Sequence, residues 1–586
     1  MSRTGPVRGI LVAAGSIAGI TVVARLVGFG RWFAFSHSVG ATCIGTVYQS
    51  VNAVPNVLYE VAAGGVLAAV VVPLVSAALG RGEPDAADRT ASALLTWALV
   101  VLVPLALLVL AAAGPIAGAL LPEQGCAGAL GLGVDLLRLF AVQIPLYGVG
   151  IVLAGVLQSH RRFVAAALAP LLSSIVVIAT YLAYRRLVPD PAAPVAAIPG
   201  AAVVVLGAGT TLGVVALSLP LLVPLRRAGI RLRPRLRFPD TASARVRRLA
   251  VAGLLALAGQ QAATLVVIRL ANDRGGPGTL NVFTYIQAVA LLPYAVLAVP
   301  LATAAFPTLA AQAAGPSKVR PDGEGAARRS APDLADRGEP TVAGPPRGTA
   351  DNAAQTLRGA WLGTLVAGLY GVALLVAVAG PVGAFFGHLD AGRAAGSGAE
   401  ALAAIPTTMA SFAPGIVGLG ATGLLTRALY VRGHARTAGA VAGAGWLLTL
   451  AVPLTVLTGG GTPGPAATLR AIGLGSSVGL LAGGMALTIL AARSWGRAAL
   501  LPPARPLGAA LLGAAAAAGA GWWLGATWHP STLAGAALAT AAAGLLATLL
   551  FAALAGAADH GMVRRLLQRG ATADRTSTDL RPRETR

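Results

Sequence analysis

Fourteen apolar stretches follow one another along this chain from Ile10 to Ala555, and short polar segments separate them. A bilayer core about 30 Å thick is crossed by roughly 20 apolar residues in a helix. Irregular backbone cannot face lipid, because its amide groups would have no hydrogen-bond partner. The pattern therefore predicts an all-α integral membrane protein of about 14 transmembrane helices. We place these helices near residues 10–30, 44–79, 91–121, 133–157, 164–184, 198–224, 249–270, 280–313, 355–380, 401–429, 438–457, 469–491, 507–526 and 533–555.

The composition excludes the usual soluble classes of protein. Of the 586 residues, 56% are hydrophobic and 11% are charged, and the mean hydropathy is +0.76. A formal charge of +23 would favour nucleic acid for a soluble chain, but in a multi-pass protein arginines collect in cytoplasmic loops. With the N-terminus inside, most of the 44 basic residues fall in inner segments. We therefore expect no nucleic-acid partner, a place in the lipid bilayer, and both termini in the cytoplasm.

Residue usage also indicates the source. Ala, Gly and Arg are heavily used, and Lys318 is the only lysine, which is typical of a GC-rich bacterial genome. We expect the bacterial cytoplasmic (cell) membrane as the location.

A weak internal repeat divides the spans into two halves. Tyr48-Gln49 leads to Pro55 in the second span as Tyr285-Ile286-Gln287 leads to Pro293 in the eighth. Proline-interrupted helices at corresponding positions are typical of transporters built from repeats. The predicted domains are an N-lobe (1–225), a basic cytoplasmic loop (226–248), the first part of a C-lobe (249–314), a disordered cytoplasmic linker (315–352), the second part of the C-lobe (353–492), two further helices (493–556) and a basic cytoplasmic tail (557–586).

Motifs for catalysis and metal binding are missing from the sequence. It contains no P-loop, no metal-ligand histidine pair and no nucleophile elbow. We interpret Cys43 and Cys126 as two inert small apolar residues, while a single bridge between them near the outer face stays open. We therefore expect a transporter and not an enzyme, with no cofactor bound in the chain. Coupling to the membrane potential or to an ion is left open.

The second span carries a polar stripe of four residues spaced 3, 4 and 4 apart: Gln49, Asn52, Asn56 and Glu60. At about 100° per residue these side chains share one face of a helix. A polar face is costly in lipid, so it must meet a partner helix or a wet cavity. Interhelical hydrogen bonding is one reading. Because the stripe includes an acid, we favour a hydrated cavity.

Two arginines lie late in the first span, beside Gly28 and Gly30. The planar guanidinium of arginine binds phosphate through two hydrogen bonds, and small neighbours let a bulky anion approach. Arg25 and Arg31 are therefore candidate substrate-binding residues. Snorkelling toward the outer headgroups is the alternative, chiefly for Arg31, so we expect the deeper Arg25 to be the main anchor.

Spans 7 and 8 carry polar residues that are candidates for the opposing wall, with packing hydrogen bonds an equally good reading. They are Gln260, Gln261, Thr264, Asn281 and Gln287. We take Gln261 and Gln287 as candidate substrate-binding residues.

In its motifs the chain resembles the MurJ (MviN) family of lipid II flippases, in the multidrug/oligosaccharidyl-lipid/polysaccharide exporter superfamily. The resemblance runs through all fourteen spans, and the motifs are specific in combination. They are Arg25-Leu26-Val27-Gly28-Phe29-Gly30-Arg31, Pro55-Asn56-Val57-Leu58 followed by Gly65 and Pro73, Leu157-Gln158-Ser159-His160-Arg161-Arg162-Phe163 leading to Ala169-Pro170, and Tyr430-Val431-Arg432 with Arg436-Thr437.

The resemblance implies two six-helix lobes around a central cavity, plus two C-terminal helices that form a groove for a polyprenyl tail. It implies a lipid-linked glycan substrate, most specifically the peptidoglycan precursor lipid II, which crosses the membrane by alternating access. Arg25 and Arg31 would meet the diphosphate, and Asn56 would line the cavity. Proteins of cell-envelope synthesis are possible partners.

The chain departs from the family pattern at charged positions. Thr46 and Gly64 stand where members commonly carry an acid, and Tyr59 and Ala288 stand where they carry an arginine. Two alternatives therefore stay open. One is a paralogue that exports another lipid-linked glycan or a small amphiphile, and the other is a non-transporting scaffold of envelope synthesis.

Overall fold

The structure is a computed structural model. It describes residues 5–61, 68–121, 126–190, 193–237, 243–314, 347–391, 396–457 and 463–557, and these residues contain helices and no β-strand.

A first group of ten helices spans the N-terminal part of the chain. They are α1 (Gly5–Ser38), α2 (Cys43–Glu60), α3 (Ala68–Gly80), α4 (Pro84–Ala111), α5 (Ala113–Leu120), α6 (Ala129–Ala141), α7 (Gln143–Ser159), α8 (Phe163–Leu187), α9 (Gly200–Ser218) and α10 (Leu222–Arg227). Helix α8 packs against α1 and α9, α7 packs against α4, and α2 packs against α6. The core of this group is apolar, with large side chains such as Leu136, Phe140 and Leu153 fully buried.

A second group of ten helices follows. They are α11 (Ser243–Gly275), α12 (Thr279–Pro293), α13 (Val299–Ala314), α14 (Arg347–Leu389), α15 (Ser397–Ala403), α16 (Ile405–Phe412), α17 (Gly415–Val431), α18 (Ala435–Leu448), α19 (Ala451–Leu457) and α20 (Gly464–Trp495). A π-helical segment, Tyr294–Ala298, joins α12 to α13 directly after Pro293. Proline lacks the amide hydrogen that the regular ladder needs, which accounts for the irregular turn.

Glycines bring the helices of the second group close together. A Cβ at Gly418 of α17 would overlap the backbone carbonyl of Leu480 in α20, and a Cβ at Gly259 of α11 would overlap Gly443 of α18. Lipid tails are as apolar as leucine, so helices in a membrane associate through such close backbone packing. The last two helices, α21 (Ala504–Thr527) and α22 (Leu533–Ala557), pack against each other and against α14.

The helices agree with the predicted spans. Twelve helices or joined runs of helices among the described residues are long and apolar enough to cross a membrane. The two other predicted spans, 10–30 and 44–79, correspond to α1 and to α2 with α3, and residues 62–67 between α2 and α3 lie outside the described part. An all-α membrane fold is thereby confirmed, while the count of fourteen stays a prediction.

Two details differ from the sequence interpretation. Cys43 and Cys126, interpreted as inert, form a disulfide that links the start of α2 to the loop before α6. Their Cα atoms are 5.8 Å apart, although 83 positions separate them in the chain, a proximity that only the fold creates. The predicted linker 315–352 falls outside the described residues up to residue 346, and α14 already begins at Arg347.

Candidate functional site

The turn between α1 and α2 brings the two helix groups together. Gly40 has a φ of +72°, a left-handed conformation that favours glycine, and a Cβ there would overlap the carboxylate of Asp390. Thr42 caps α2 by accepting a hydrogen bond of 3.1 Å from the amide of Gly45. The turn is therefore fixed in shape and pressed against the end of α14.

Buried hydrogen bonds join this turn to the second group. The amide of Ala41 donates to Asp390 Oδ2 (3.0 Å), and Asn281 Nδ2 donates to the carbonyl of Gly40 (2.8 Å). Further along α2, the amide of Gly278 donates to Thr46 Oγ1 (2.7 Å). We call the contact made here by the end of α1, the start of α2, the α11–α12 turn and the end of α14 the closed end.

Asn272 and Arg269 extend the closed end along α11. Asn272 Nδ2 donates to Ser50 Oγ (2.8 Å) and to the carbonyl of Leu120 (2.7 Å), and Arg269 donates to the carbonyl of Leu121 (2.8 Å). The carbonyls of Leu120 and Leu121 belong to the end of α5 and the residue after it. The closed end therefore involves three separate parts of the first group.

An aromatic layer lies next to these polar bonds. Phe33 packs edge-on against Phe385 at 4.9 Å between ring centroids, and Tyr285 stacks on Phe386 at 4.7 Å. Trp32 contacts Tyr285 edge-on at 6.4 Å. Such ring pairs add to the stability that buried area provides. The layer joins α1 to α12 and α14 beside the closed end.

The polar stripe runs away from the closed end along α2. Gln49, Asn52 and Asn56 are half-buried, and Glu60 is exposed at the far end of the helix, roughly 25 Å from Cys43 at 1.5 Å per residue. Asn56 Nδ2 donates to the carbonyl of Asn52 (2.8 Å). Asn52 Oδ1 is buried and has no hydrogen-bond partner among the described residues, which leaves one acceptor available to a ligand or to water.

Two tyrosines complete the stripe. The hydroxyl of Tyr147 in α7 donates to Asn56 Oδ1 (3.0 Å), and the ring of Tyr147 packs on Tyr59 at 4.4 Å between centroids. The pair presents rings and hydroxyl groups next to the amide of Asn56. Aromatic rings and amides together suit a sugar, which has both apolar faces and hydroxyl edges.

The arginines of α1 lie on different faces of the helix. Six residues correspond to 600° of rotation, so their side chains point about 120° apart. Arg31 is half-buried, its guanidinium lies 5.7 Å from the centroid of the Trp32 ring, and it is within electrostatic range of the phenol groups of Tyr48 and Tyr147. Arg25 is exposed and forms no ion pair among the described residues. The structure thus places the charge of Arg31 within electrostatic range of the tyrosine that donates to Asn56.

The candidates of the second group separate in the same way. Asn281 is fully buried in the closed end, where it acts in packing. Gln261 is 7% exposed on α11, and Gln287 is half-buried on α12. Neither glutamine has a direct hydrogen bond to the stripe of α2. Among the candidates that the structure describes, the stripe of α2 and Tyr147 of α7 are joined by hydrogen bonds into one polar cluster, with the charge of Arg31 within electrostatic range.

Sequence reasoning missed Tyr147, Thr46, Asn272 and Asp390 as functional candidates. Their bonds reach 91 or more positions along the chain, so no local pattern indicates them. In the sequence Thr46 stands out only as a departure from a family acid, whereas its hydroxyl forms one of the bonds between the groups. Among the residues that the structure describes, no cluster of three or more His, Cys, Asp or Glu side chains is placed to hold a metal ion.

Comparison with known proteins agrees with this architecture. A family model described as lipid II flippase MurJ matches residues 35–330. A solved structure of the lipid II flippase MurJ in an inward closed conformation superposes with a TM-score of 0.65 at 14% identity, covering 93% of this chain and 99% of that chain.

Two further structures share the fold. An inward-facing multidrug resistance MATE family transporter of the MOP superfamily matches with a TM-score of 0.59 at 15% identity, over 81% of this chain and 94% of that one. A MOP superfamily transporter from Pyrococcus furiosus matches with a TM-score of 0.55 at 13% identity, over 82% and 96%.

Proposed function

Because the chain belongs to the MurJ family of lipid II flippases, we propose that it carries a polyprenyl-diphosphate-linked glycan across the bacterial cytoplasmic membrane. The favoured cargo is lipid II, which would pass from the inner to the outer leaflet. The observation that carries the proposal is the cluster of Arg31, Asn52, Asn56, Tyr59 and Tyr147, which combines a cation with amide and phenol groups in a membrane fold.

The chemistry of the cluster fits the headgroup of such a lipid. A diphosphate in a partly dehydrated site needs cationic or multiple-donor compensation, and each charge-assisted hydrogen bond contributes about 1.5–3 kcal/mol. Arg31 supplies the charge. The unpaired acceptor of Asn52 and the rings of Tyr59 and Tyr147 would meet the glycan.

The closed end supports alternating access as the mechanism. The hydrogen bonds described above between the groups lie at one end, while Glu60 at the other end of α2 is exposed. With both termini in the cytoplasm, the closed end would face outward and the site would open inward. The disulfide between Cys43 and Cys126 lies at the closed end, and disulfides persist on the oxidising side of a membrane. Opening of the closed end would then release the headgroup outside, driven by the membrane potential or an ion.

Two positions make a second class of cargo a candidate. Tyr59 and Ala288 replace arginines that members of the family commonly carry, so fewer cations surround the site. A glycan lipid with a less charged headgroup would need fewer cations than lipid II and is therefore the second candidate cargo. The experiment must therefore compare cargoes.

The test is transport by the full chain in proteoliposomes. The protein is reconstituted with fluorescent lipid II in one set of vesicles and with a polyprenyl-phosphate-linked sugar in another. The access of a membrane-impermeant reagent to the lipid headgroup is then followed over time. Faster exchange of lipid II than in protein-free vesicles supports the proposal. If only the monophosphate lipid is exchanged, the cargo is reassigned to that class of lipid. If neither lipid is exchanged, the proposed transport function is refuted.

A further inference from the structure

The inner ends of α17, α18 and α20 enclose a groove that the flippase site does not use. Its cavity volume is about 450 Å³, and we call it the arginine groove. The residues that line it are Leu429, Arg432, His434, Thr437, Leu490, Arg493 and Ser494. It lies at the opposite end of α20 from Ala466, whose amide donates to Glu400 of α15 near the closed end.

A tryptophan holds one arginine of the groove in place. The guanidinium of Arg432 lies 4.3 Å from the centroid of the Trp495 ring. Trp495 is buried, and its indole nitrogen donates to the carbonyl of Ala428 (3.2 Å). Stacking on a fixed ring occupies one face of the guanidinium and leaves its N–H groups free at the edge. Arg432 is thus oriented in advance for an acceptor.

The positive charge of the groove has no counter-ion among the residues that the structure describes. Neither Arg432 nor Arg493 forms an ion pair within the described part of the chain. The sequence from Ala401 to Ala557 contains no Asp or Glu. Ser494 Oγ, which lines the groove, is buried without a hydrogen-bond partner among the described residues. Two cations and a free hydroxyl define a site for an anion with several oxygens.

An apolar face of α20 leads into the groove from the bilayer. Met485 and Ile489 are 65% and 49% exposed, and they precede Arg493 at intervals of four residues. Residues spaced by four lie above one another on a helix. Acyl chains can therefore lie along Met485 and Ile489 while a phosphate on the same molecule reaches Arg493.

We propose that the arginine groove binds one anionic phospholipid of the inner leaflet, with its phosphate between Arg432 and Arg493. The leaflet that faces the cytoplasm carries anionic lipids, and a membrane-embedded basic pocket attracts their headgroups. The apolar face selects a lipid over a free phosphate ion. The site is separate from the Arg31 cluster and is occupied whichever cargo the protein carries.

The test measures lipid binding to the full chain in nanodiscs. Native mass spectrometry compares phosphatidylglycerol with phosphatidylcholine at equal amounts. We expect one tightly retained phosphatidylglycerol, and about tenfold weaker retention in Arg432→Ala/Arg493→Ala, as expected for the loss of charge-assisted bonds. The matched control is Arg505→Ala, which removes an exposed arginine at the start of α21, outside the groove.

A second variant protects the test against misfolding. Because Arg432 packs on Trp495, its loss can disturb the local fold, whereas Arg493→Glu reverses charge on an exposed side chain and leaves the stack intact. Lost retention in Arg493→Glu, with an unchanged thermal midpoint, supports the site. Three results would each overturn the site. The wild type could retain both lipids equally, or Arg505→Ala could lose as much phosphatidylglycerol as the groove variants do. Soluble glycerol phosphate could also displace the lipid when present at the same concentration as the lipid.

Discussion

At the scale of single residues, the two arginines of α1 pose the clearest choice. Depth in the span favours Arg25, but the charge of Arg31 lies within electrostatic range of Tyr147, which donates a hydrogen bond to Asn56, while Arg25 is exposed on another face of α1. A substrate-binding group gains from neighbours that bind the same ligand, because they share the cost of ordering it. The geometry therefore favours Arg31 as the main anchor.

We predict that Arg31→Ala lowers the initial rate of lipid II exchange about tenfold, the effect of removing one charge-assisted contact. Arg25→Ala should lower it less, because Arg25 lies on another face of α1. Arg31→Lys keeps the positive charge but lacks the planar guanidinium that forms two parallel hydrogen bonds, so its exchange rate should lie between those of Arg31→Ala and the wild type. Normal transport in Arg31→Ala together with loss in Arg25→Ala would return the role to Arg25.

Tyr147 gives a second prediction at this scale. Tyr147→Phe removes the hydrogen bond to Asn56 and keeps the ring on Tyr59, so we expect transport to fall several-fold with little change in thermal stability. The matched control is Tyr370→Phe, which removes a hydroxyl bond of 2.7 Å to Thr548 between α14 and α22, away from the cluster. A similar transport defect in both variants would argue for a general packing effect.

At the scale of helices, the sequence predicts well where each membrane span lies and poorly where a span is broken into shorter helices. Hydropathy locates the spans because bilayer thickness fixes their length. It predicts one span at 401–429, where the structure has α15, α16 and α17, with breaks near Ala404 and Ala413. These breaks fall within an apolar run, so hydropathy cannot distinguish them. The bonds of Tyr147 and Asp390 are likewise invisible, because they depend on how distant helices pack.

Thr46 allows the closed end to be tested. Its hydroxyl donates to the carbonyl of Thr42 and accepts from the amide of Gly278. Thr46→Val keeps the volume and leaves that amide unpaired at a cost of about 1–3 kcal/mol. We predict a shift of population toward an open form, measured as a longer distance between spectroscopic labels placed on α1 and α14 through unnatural amino acids.

Thr90→Val is the control for this shift. Thr90 is also buried and donates to the carbonyl of Ala86 in its own helix, but its hydroxyl forms no hydrogen bond to the second group among the described residues. Its distance distribution should match the wild type. An unchanged distribution in Thr46→Val would show that this bond does not hold the closed end shut.

At the scale of the whole molecule, orientation in the membrane decides which way the cargo moves. Because both native cysteines are paired, a single introduced cysteine is the reactive thiol of the chain. We predict that an impermeant thiol reagent labels Ser531→Cys, between α21 and α22, in intact cells. Ser330→Cys, in the predicted linker, should react with the reagent only after the cells have been permeabilised. The reverse pattern would invert the topology and the proposed direction of transport.

The closed end also determines how transport responds to its surroundings. Most of its bonds pair neutral groups, such as the amide of Asn281 with a backbone carbonyl, while Asp390 and Arg269 each contribute a charged partner. Water can replace each such bond almost one for one, at a net cost of about 0.5–1.5 kcal/mol. Dissolved salt screens charges and therefore has little effect on the neutral pairs among these bonds. The closed end should consequently open and re-form readily, and its opening should depend only weakly on the salt concentration outside the cell.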